Sequence, residues 1–292
     1  MRGAAQVCRW LCYLAWSYVW AGCMFLLMIH QWTPYLTVGL PAAFGLLWLA
    51  QRLDAQVFVV RGHRLVRLAV MAAFVAFQLV SWRYWYFFND PERVIPQGAA
   101  VVAPADGFVV YVRPVAAGTV PLAIKRHQPI PLQEILRLQE PAQISDGWLI
   151  GIFMTPVSVH VNRAPITGVV EHRTYYLGDR LLSMLPMGVR TMFAARPFET
   201  GAAYIRHNER ETLLIRGAFP VYLTRIADPY VDKIVTWKKE GERVAQGERI
   251  GLIKMGSQTD LLIPRQAGGR ALRVVVREGQ YVNAGSTVLA TF

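Results

Sequence analysis

The chain has 292 residues, a formal net charge of +12 and 54% apolar residues, with a mean hydropathy of +0.28 and an isoelectric point near 10.0. That length holds one or two domains, and the apolar fraction is high for a soluble protein. The charge calls for an acidic partner; the basic residues form no run and no nucleic-acid motif is present, which sets nucleic acid aside and leaves anionic lipid, attracted by about 1 kcal/mol per Lys or Arg near the surface.

The apolar excess is local. Trp10 to Ile29 carries no charged residue, a run long enough to span a bilayer as a helix. A shorter run from Thr33 to Ala50 is opened by Pro34 and interrupted by Pro41. A third, Leu68 to Trp82, lies between Arg67 and Arg83 and passes into Tyr84-Trp85-Tyr86-Phe87-Phe88, an aromatic belt of the kind that settles at headgroup depth. Arg2, Arg9 and the arginines of the Gln51 to Arg67 loop put those segments on the cytoplasmic side. The third run is short for a crossing and is expected to re-enter the interface, which keeps the following domain cytoplasmic, on the inner or plasma membrane. Cys12 and Cys23 fall in the first run and Cys8 just before it, so neither a disulfide framework nor a cysteine metal site supports the rest of the chain.

Beyond the belt, Phe88-Asn89-Asp90-Pro91-Glu92-Arg93-Val94-Ile95-Pro96 is a linker whose prolines forbid a long helix. Ala99 to Val110 reads as strand, tight turn, strand, with Asp106-Gly107 at the bend. Leu132 to Leu138 is a short helix candidate, and Trp148 to Phe153 a buried strand. It runs into Met154-Thr155-Pro156-Val157-Ser158-Val159-His160, which places a histidine at a strand end where it can face a cleft. Val235 to Gly247 recurs as Arg273 to Gly285 at a constant shift of 38 residues, each copy a strand, a Glu-Gly turn, an inward valine and a second glycine turn. Two related corners of one barrel-like sheet follow from that repeat.

Between the two copies lies Gly251 to Asp260. Its Gly256-Ser257 pair stands between two apolar, strand-like runs, and by itself reads either as an ordinary bend or as a reactive one. In the reactive case the Ser257 hydroxyl attacks the Gly256 carbonyl and the peptide becomes an ester. β-Elimination then cuts the chain and leaves a pyruvoyl ketone on the new terminus. Such a ketone forms a Schiff base with a substrate amine and accepts the electrons released with carbon dioxide.

Taken together, Phe87-Phe88-Asn89-Asp90-Pro91-Glu92-Arg93, Pro104-Ala105-Asp106-Gly107, Val159-His160-Val161-Asn162-Arg163-Ala164-Pro165 with Gly168, Asn208-Glu209-Arg210, Gly247-Glu248-Arg249-Ile250-Gly251, and Met255-Gly256-Ser257 with Asp260 resemble the phosphatidylserine decarboxylase proenzyme family in its short membrane-bound form. The resemblance implies self-cleavage between Gly256 and Ser257 and a pyruvoyl group derived from Ser257, with no metal or external cofactor. It further implies a cleaved C-terminal fragment that stays associated, Asp106 and a histidine assisting maturation as a charge-orienting pair, and His160 supplying a proton during turnover. The implied substrate is phosphatidylserine and the product phosphatidylethanolamine; a related serine phospholipid fits the same chemistry. Longer family members carry a second histidine where Arg163 stands, and arginine is no base near neutral pH, so His160 serves both steps or another group substitutes. Asn89 stands where the family more often has arginine. The fold implied is α+β, with a mainly β catalytic domain of barrel-like hairpin repeats over 89–292 preceded by membrane-anchoring helices over 1–88; a homo-oligomer is compatible with it. A rival resemblance, to a biotinyl or lipoyl carrier hairpin, would make Lys254 the bearer of a swinging group and the protein a membrane-anchored carrier or adaptor.

Overall fold

The computed structural model describes residues 88–124, 129–138, 140–155, 158–228, 234–254 and 257–292. The three apolar runs, the expected membrane helices and all three cysteines lie outside the described residues, as does Gly256. Among the described residues no helix is long and apolar enough to cross a membrane.

The described chain is mainly β. In order it forms β1 (Ala100–Val102), β2 (Gly107–Val115), β3 (Thr119–Val120), β4 (Ile130–Pro131), α1 (Leu132–Leu136), β5 (Gly147–Met154), β6 (Val161–Arg163), β7 (Gly168–Tyr176), α2 (Leu185–Met192), α3 (Tyr204–His207), β8 (Arg210–Arg216) and β9 (Pro220–Ala227). There follow β10 (Ile234–Thr236), β11 (Arg243–Val244), β12 (Arg249–Ile253), β13 (Ser257–Pro264), β14 (Gln266–Ala267), β15 (Arg270–Ala271), β16 (Arg273–Val274), β17 (Tyr281–Val282) and β18 (Val288–Thr291). The expected helix at Leu132 and strand at Trp148 are thus present.

Eight strands make one sheet in the order β11-β7-β8-β9-β13-β5-β2-β17, and two three-stranded sheets, β1-β18-β16 and β10-β12-β6, accompany it. Side-chain alternation sends neighbouring residues of the large sheet into two separate cores. Ile150, Leu213, Leu223, Leu261 and Ile263 join one, facing the small sheets; Leu149, Leu214, Tyr222 and Leu262 join the other, under the helices. Strands covered on both sides read as continuous apolar runs. That is why Leu261-Leu262-Ile263 shows no alternation, each side chain contributing about 2 kcal/mol by burial.

The bend at Asp106 is correct, but its two strands do not pair: β1 joins β18, whereas β2 joins β5 and β17. The chain turns a corner from a small sheet into the large one. Gly107 is required there, because a Cβ would collide with the Phe153 backbone carbonyl. The 38-residue repeat is also real in three dimensions. Its copies supply β11 and β17, the opposite edges of an open sheet rather than adjacent corners of a closed barrel. Gly241 and Gly279 have φ of +84° and +83°, and Gly247 and Gly285 of +77° and +76°, a backbone region that glycine enters without steric cost.

A second repeat, at a shift of 61 residues, accompanies the first: Ala103-Pro104, Gly107 and Val109 match Ala164-Pro165, Gly168 and Val170. Its copies exchange hydrogen bonds, Val102 N–H to the Pro165 carbonyl (2.9 Å) and Arg163 N–H to the Pro104 carbonyl (2.8 Å). Each then bonds its own copy of the first repeat in the same way. Gly285 N–H donates to Ala103 and Gly247 N–H to Ala164, both at 2.8 Å. The domain is therefore built from two related halves whose segments interleave along the chain.

Candidate active site

Ser257 opens β13, the strand between β5 and β9, with Met154 opposite on one side and Ala227 on the other. Its hydroxyl is buried and has no hydrogen-bond partner among the described residues. A buried serine hydroxyl in that condition forgoes an interaction normally worth about 1 kcal/mol. β12 and β13 also do not pair with each other: β12 belongs to a small sheet and β13 to the large one. No hairpin tip therefore presents Lys254 as a carrier lysine would be presented, and Lys254 is half-buried.

His160 precedes β6, and its carbonyl accepts the Ile253 N–H at the end of β12 (3.2 Å). The strand that bears His160 is thus laced to the strand that leads to Ser257. Asn162, in β6, donates to the Met154 sulfur at 3.9 Å, and Thr259 reaches that sulfur at 3.7 Å. Asn162 thus meets the large sheet at its Ser257 end, and the bonds of Ser158 to Thr155, just after Met154, bring the chain at His160 to the same end. The imidazole is fully buried, and desolvation pushes its pKa down to about 4 despite the opposing bond to the Ser158 carbonyl. Nδ1 lies 2.7 Å from that carbonyl oxygen, so Nδ1 carries the proton and Nε2 is the basic nitrogen.

Asp106 comes to the same end from β2, where Phe108 stands opposite Phe153 and Phe153 opposite Gln258. Two strand spacings, about 10 Å, separate its backbone from that of β13. One carboxylate oxygen accepts the Ala284 N–H (2.6 Å) and the other the Arg93 guanidinium (2.8 Å). Burial raises the Asp106 pKa above the usual carboxylate value, with Arg93 and the Ala284 bond opposing it. The expected carboxylate–histidine pair takes a different form here. Nδ1 of His160, the nitrogen that a triad carboxylate would hold, is taken by the Ser158 carbonyl. Tyr281 stands between the two groups: its hydroxyl reaches the Ser158 Oγ at 3.3 Å, and burial, with Asp106 nearby, pushes its pKa up to about 12.

The linker and Arg163 explain each other. The Arg163 guanidinium is buried and donates to both Asp90 oxygens (2.9 and 3.1 Å) and to the Gly247 carbonyl (3.0 Å). Arg249 also bonds Asp90, and reaches Glu92 at 2.9 Å. Arg163 therefore fixes the linker that brings Arg93 to Asp106, and no base is needed of it. Asn208 is a clamp: it accepts the Leu182 N–H (2.8 Å) and donates to the Leu182 and Ala227 carbonyls (2.7 and 2.9 Å), and Ala227 is Ser257's neighbour in β9. Arg210 is buried against the carbonyls of Asn208 (3.0 Å) and Ile135 (2.7 Å).

Asp260 faces the other side of the sheet. It accepts from Tyr111 and Gln258, both at 2.7 Å, and burial pushes its pKa up to about 6. Sequence reasoning missed Arg93 as the partner of Asp106, along with Asn162, Ser158 and Tyr281.

Two tests bear on what the site can hold. Among the described residues no group of three or more His, Cys, Asp or Glu side chains is placed to bind a metal. A ketone made from Ser257 itself fits, since its precursor hydroxyl is buried and unpartnered among the described residues.

A family model described as phosphatidylserine decarboxylase matches residues 81–290. A phosphatidylserine decarboxylase proenzyme of Salinibacter ruber is 35% identical over 70% of this chain and 73% of its own length. One of Symbiobacterium thermophilum is 30% identical over 77% and 89%, and one of Erythrobacter litoralis 32% over 76% and 81%. With a family match over most of its length and relatives at that identity and coverage, the chain belongs to the phosphatidylserine decarboxylase family.

Proposed function

We propose that this chain is a self-processing, membrane-bound decarboxylase that converts phosphatidylserine to phosphatidylethanolamine through a pyruvoyl group made from Ser257. The observation that carries the reading is the buried, unpartnered Ser257 hydroxyl opening the central strand at the end of the sheet that also receives neutral His160.

In maturation the Ser257 Oγ bonds to the Gly256 carbonyl carbon, the peptide C–N bond breaks, and an ester forms. Loss of the Ser257 Cα proton then expels the Gly256 carboxylate, and water releases ammonia to leave the ketone. His160, neutral across the physiological range, is the base for the hydroxyl proton, with Nε2 as its basic atom. Asp106 contributes negative charge near that proton and, through Ala284, holds the C-terminal corner; Arg93 keeps the carboxylate ionised against its burial.

In turnover the pyruvoyl group supplies an electron sink for the electrons left by departing carbon dioxide. A neutral imidazole starts as an acceptor: His160 takes the proton that the substrate ammonium loses before it attacks and returns that proton to the product carbon, and the departing product amine regains one from water. Burial around Thr259, Met154 and Asn162 keeps bulk water from competing for that carbon. The fragment 257–292 stays attached after the cut, because β13 is paired on both sides and β17 and β18 are paired with β2 and β1. The domain faces the cytoplasm, with the apolar runs before residue 88 holding it at the membrane.

The test is the full chain with Ser257→Ala, compared with wild type by intact mass, by borohydride trapping and by phosphatidylethanolamine formation. Wild type is expected as two fragments, the smaller starting at 257 with a trappable carbonyl; the variant is expected whole, untrappable and inactive. An active wild-type protein that is a single unbroken polypeptide would overturn the reading.

A further inference from the structure

The segment from Leu177 to Phe193 exposes several large apolar side chains, with Asp179, Arg180 and Ser183 exposed among them. Leu177, Leu181, Leu185, Met192 and Phe193 are 72%, 59%, 69%, 73% and 74% exposed. Within α2, Leu185, Val189 and Met192 follow the i, i+4, i+7 spacing of one helix face. The opposite face is apolar too and is already used: Met184 and Met187 are buried in the core under the large sheet. An eight-residue helix that is apolar on two sides and covered on one normally has a second covering. From Leu177 to Phe198 the sequence holds Arg180, Arg190 and Arg196 against one carboxylate, Asp179, which the His207 imidazole faces at 3.0 Å. Exposed apolar side chains ringed by arginine are the composition of an interfacial element on an anionic bilayer.

Its place in the fold ties it to the reacting serine. Gly188 packs on the Phe153 ring, next in β5 to Ser257's partner Met154. Asp228, which follows Ala227, accepts the Met184 N–H at 3.1 Å, and Asn208 clamps Leu182 to the Ala227 carbonyl. We infer that the 177–193 segment is the membrane-docking surface of the catalytic domain, lying in the headgroup layer of an anionic bilayer and setting the Ser257 end of the sheet at the depth of the lipid headgroup. This rests on the decarboxylase reading for its purpose, but depth in the bilayer is measurable without any chemistry.

The experiment uses the full chain with Cys8, Cys12 and Cys23 replaced by serine and an environment-sensitive fluorophore at Phe193→Cys, or at Lys239→Cys as the polar control, in phosphatidylserine-containing vesicles. The label at 193 is expected to shift to the blue and to be quenched by lipids carrying a shallow quencher, and the control to do neither. The combined L185S/V189S/M192S/F193S variant is expected to mature normally, to raise the apparent KM for vesicle-borne phosphatidylserine about tenfold, and to keep kcat, the signature of lost uniform binding. A label at 193 that stays water-exposed on vesicles overturns the docking surface even when wild type cleaves and turns over. Shielding of that label on vesicles that the lipid-borne quencher does not reach also overturns it, assigning the face to a second copy when the shielding depends on protein concentration and to residues 1–87 when it does not. Failure of wild type to cleave, with the label at 193 buried in lipid, strikes the decarboxylase reading and leaves the docking surface standing.

Discussion

The two interleaved halves share a backbone and differ in what hangs from it. At the Asp106 corner the Ala284 N–H donates to a carboxylate; at the matching corner the Gln246 N–H donates to the Thr167 hydroxyl at 3.0 Å. The bond to the turn is therefore framework, common to both. What Asp106 adds is a second oxygen, buried and paired with Arg93, whereas Thr167 is exposed. The same comparison isolates His160, which falls at Ala99 in the other half: Ile253 N–H donates to the His160 carbonyl and Phe292 N–H to the Ala99 carbonyl, each at 3.2 Å. By register Ser257 corresponds to Phe219, which packs into the core beside the closed β8–β9 turn. Three positions where one half departs from the other by gaining a proton-handling group are the three assigned to chemistry.

Turning each such position into its counterpart breaks the asymmetry in measurable ways. His160→Ala has the largest expected effect among them, a fall of about 10² to 10⁴ in turnover, read as phosphatidylethanolamine formed by whatever fraction has matured. Asp106→Thr keeps an acceptor for Ala284 and loses the carboxylate, so the domain is expected to fold while self-cleavage slows about 10²-fold, followed by intact mass over time. Arg93→Gln leaves the Asp106 charge buried without its partner and is expected to cost about 3 kcal/mol in denaturant unfolding of the uncleaved Ser257→Ala background.

The pH dependence of stability separates the halves in the same background. His160, held at about 4 by burial, takes up its proton in the unfolded chain first, so it makes stability fall as pH drops from about 6.5 to about 4, by about 3 kcal/mol in all. Asp260, raised to about 6, acts with the opposite sign below pH 6, where its protonation favours the folded state. The quantity to measure is thus the difference between the parent and its His160→Ala variant, which is expected to lose the falling limb. The smallest effect is expected from the reverse swap, Thr167→Asp, which places a carboxylate at an exposed corner and should change stability by under about 0.5 kcal/mol and leave cleavage alone.

Local pattern made β5, α1 and the Asp106 bend legible, because each is set by residues adjacent in the chain. Resemblance supplied the order of the blocks and hence His160. Pairing partners were not legible: nothing local tells that β12 and β13 lie in different sheets, or that β11 and β17 form opposite edges, since strand pairing is decided by contacts distant in sequence. Arg163 shows the same limit. Its identity raised a question about a missing base, and only the contact with Asp90 showed that it grips the linker instead. The 61-residue repeat was present in Ala103-Pro104 and Ala164-Pro165 but short and separated by five strands and a helix, and it gains meaning from the bonds that its copies exchange.

The location of β13 has a consequence for the lifetime of the mature enzyme. On the proposed cut, the middle strand of the largest sheet arrives from a separate polypeptide, so one folding unit becomes two chains that never met as free partners. Once heat or urea parts them, reassembly turns into a second-order encounter between an exposed sheet and a short apolar peptide, in competition with aggregation. Denaturation after processing is then expected to be a one-way event, and the endurance of each molecule a matter of how slowly it opens.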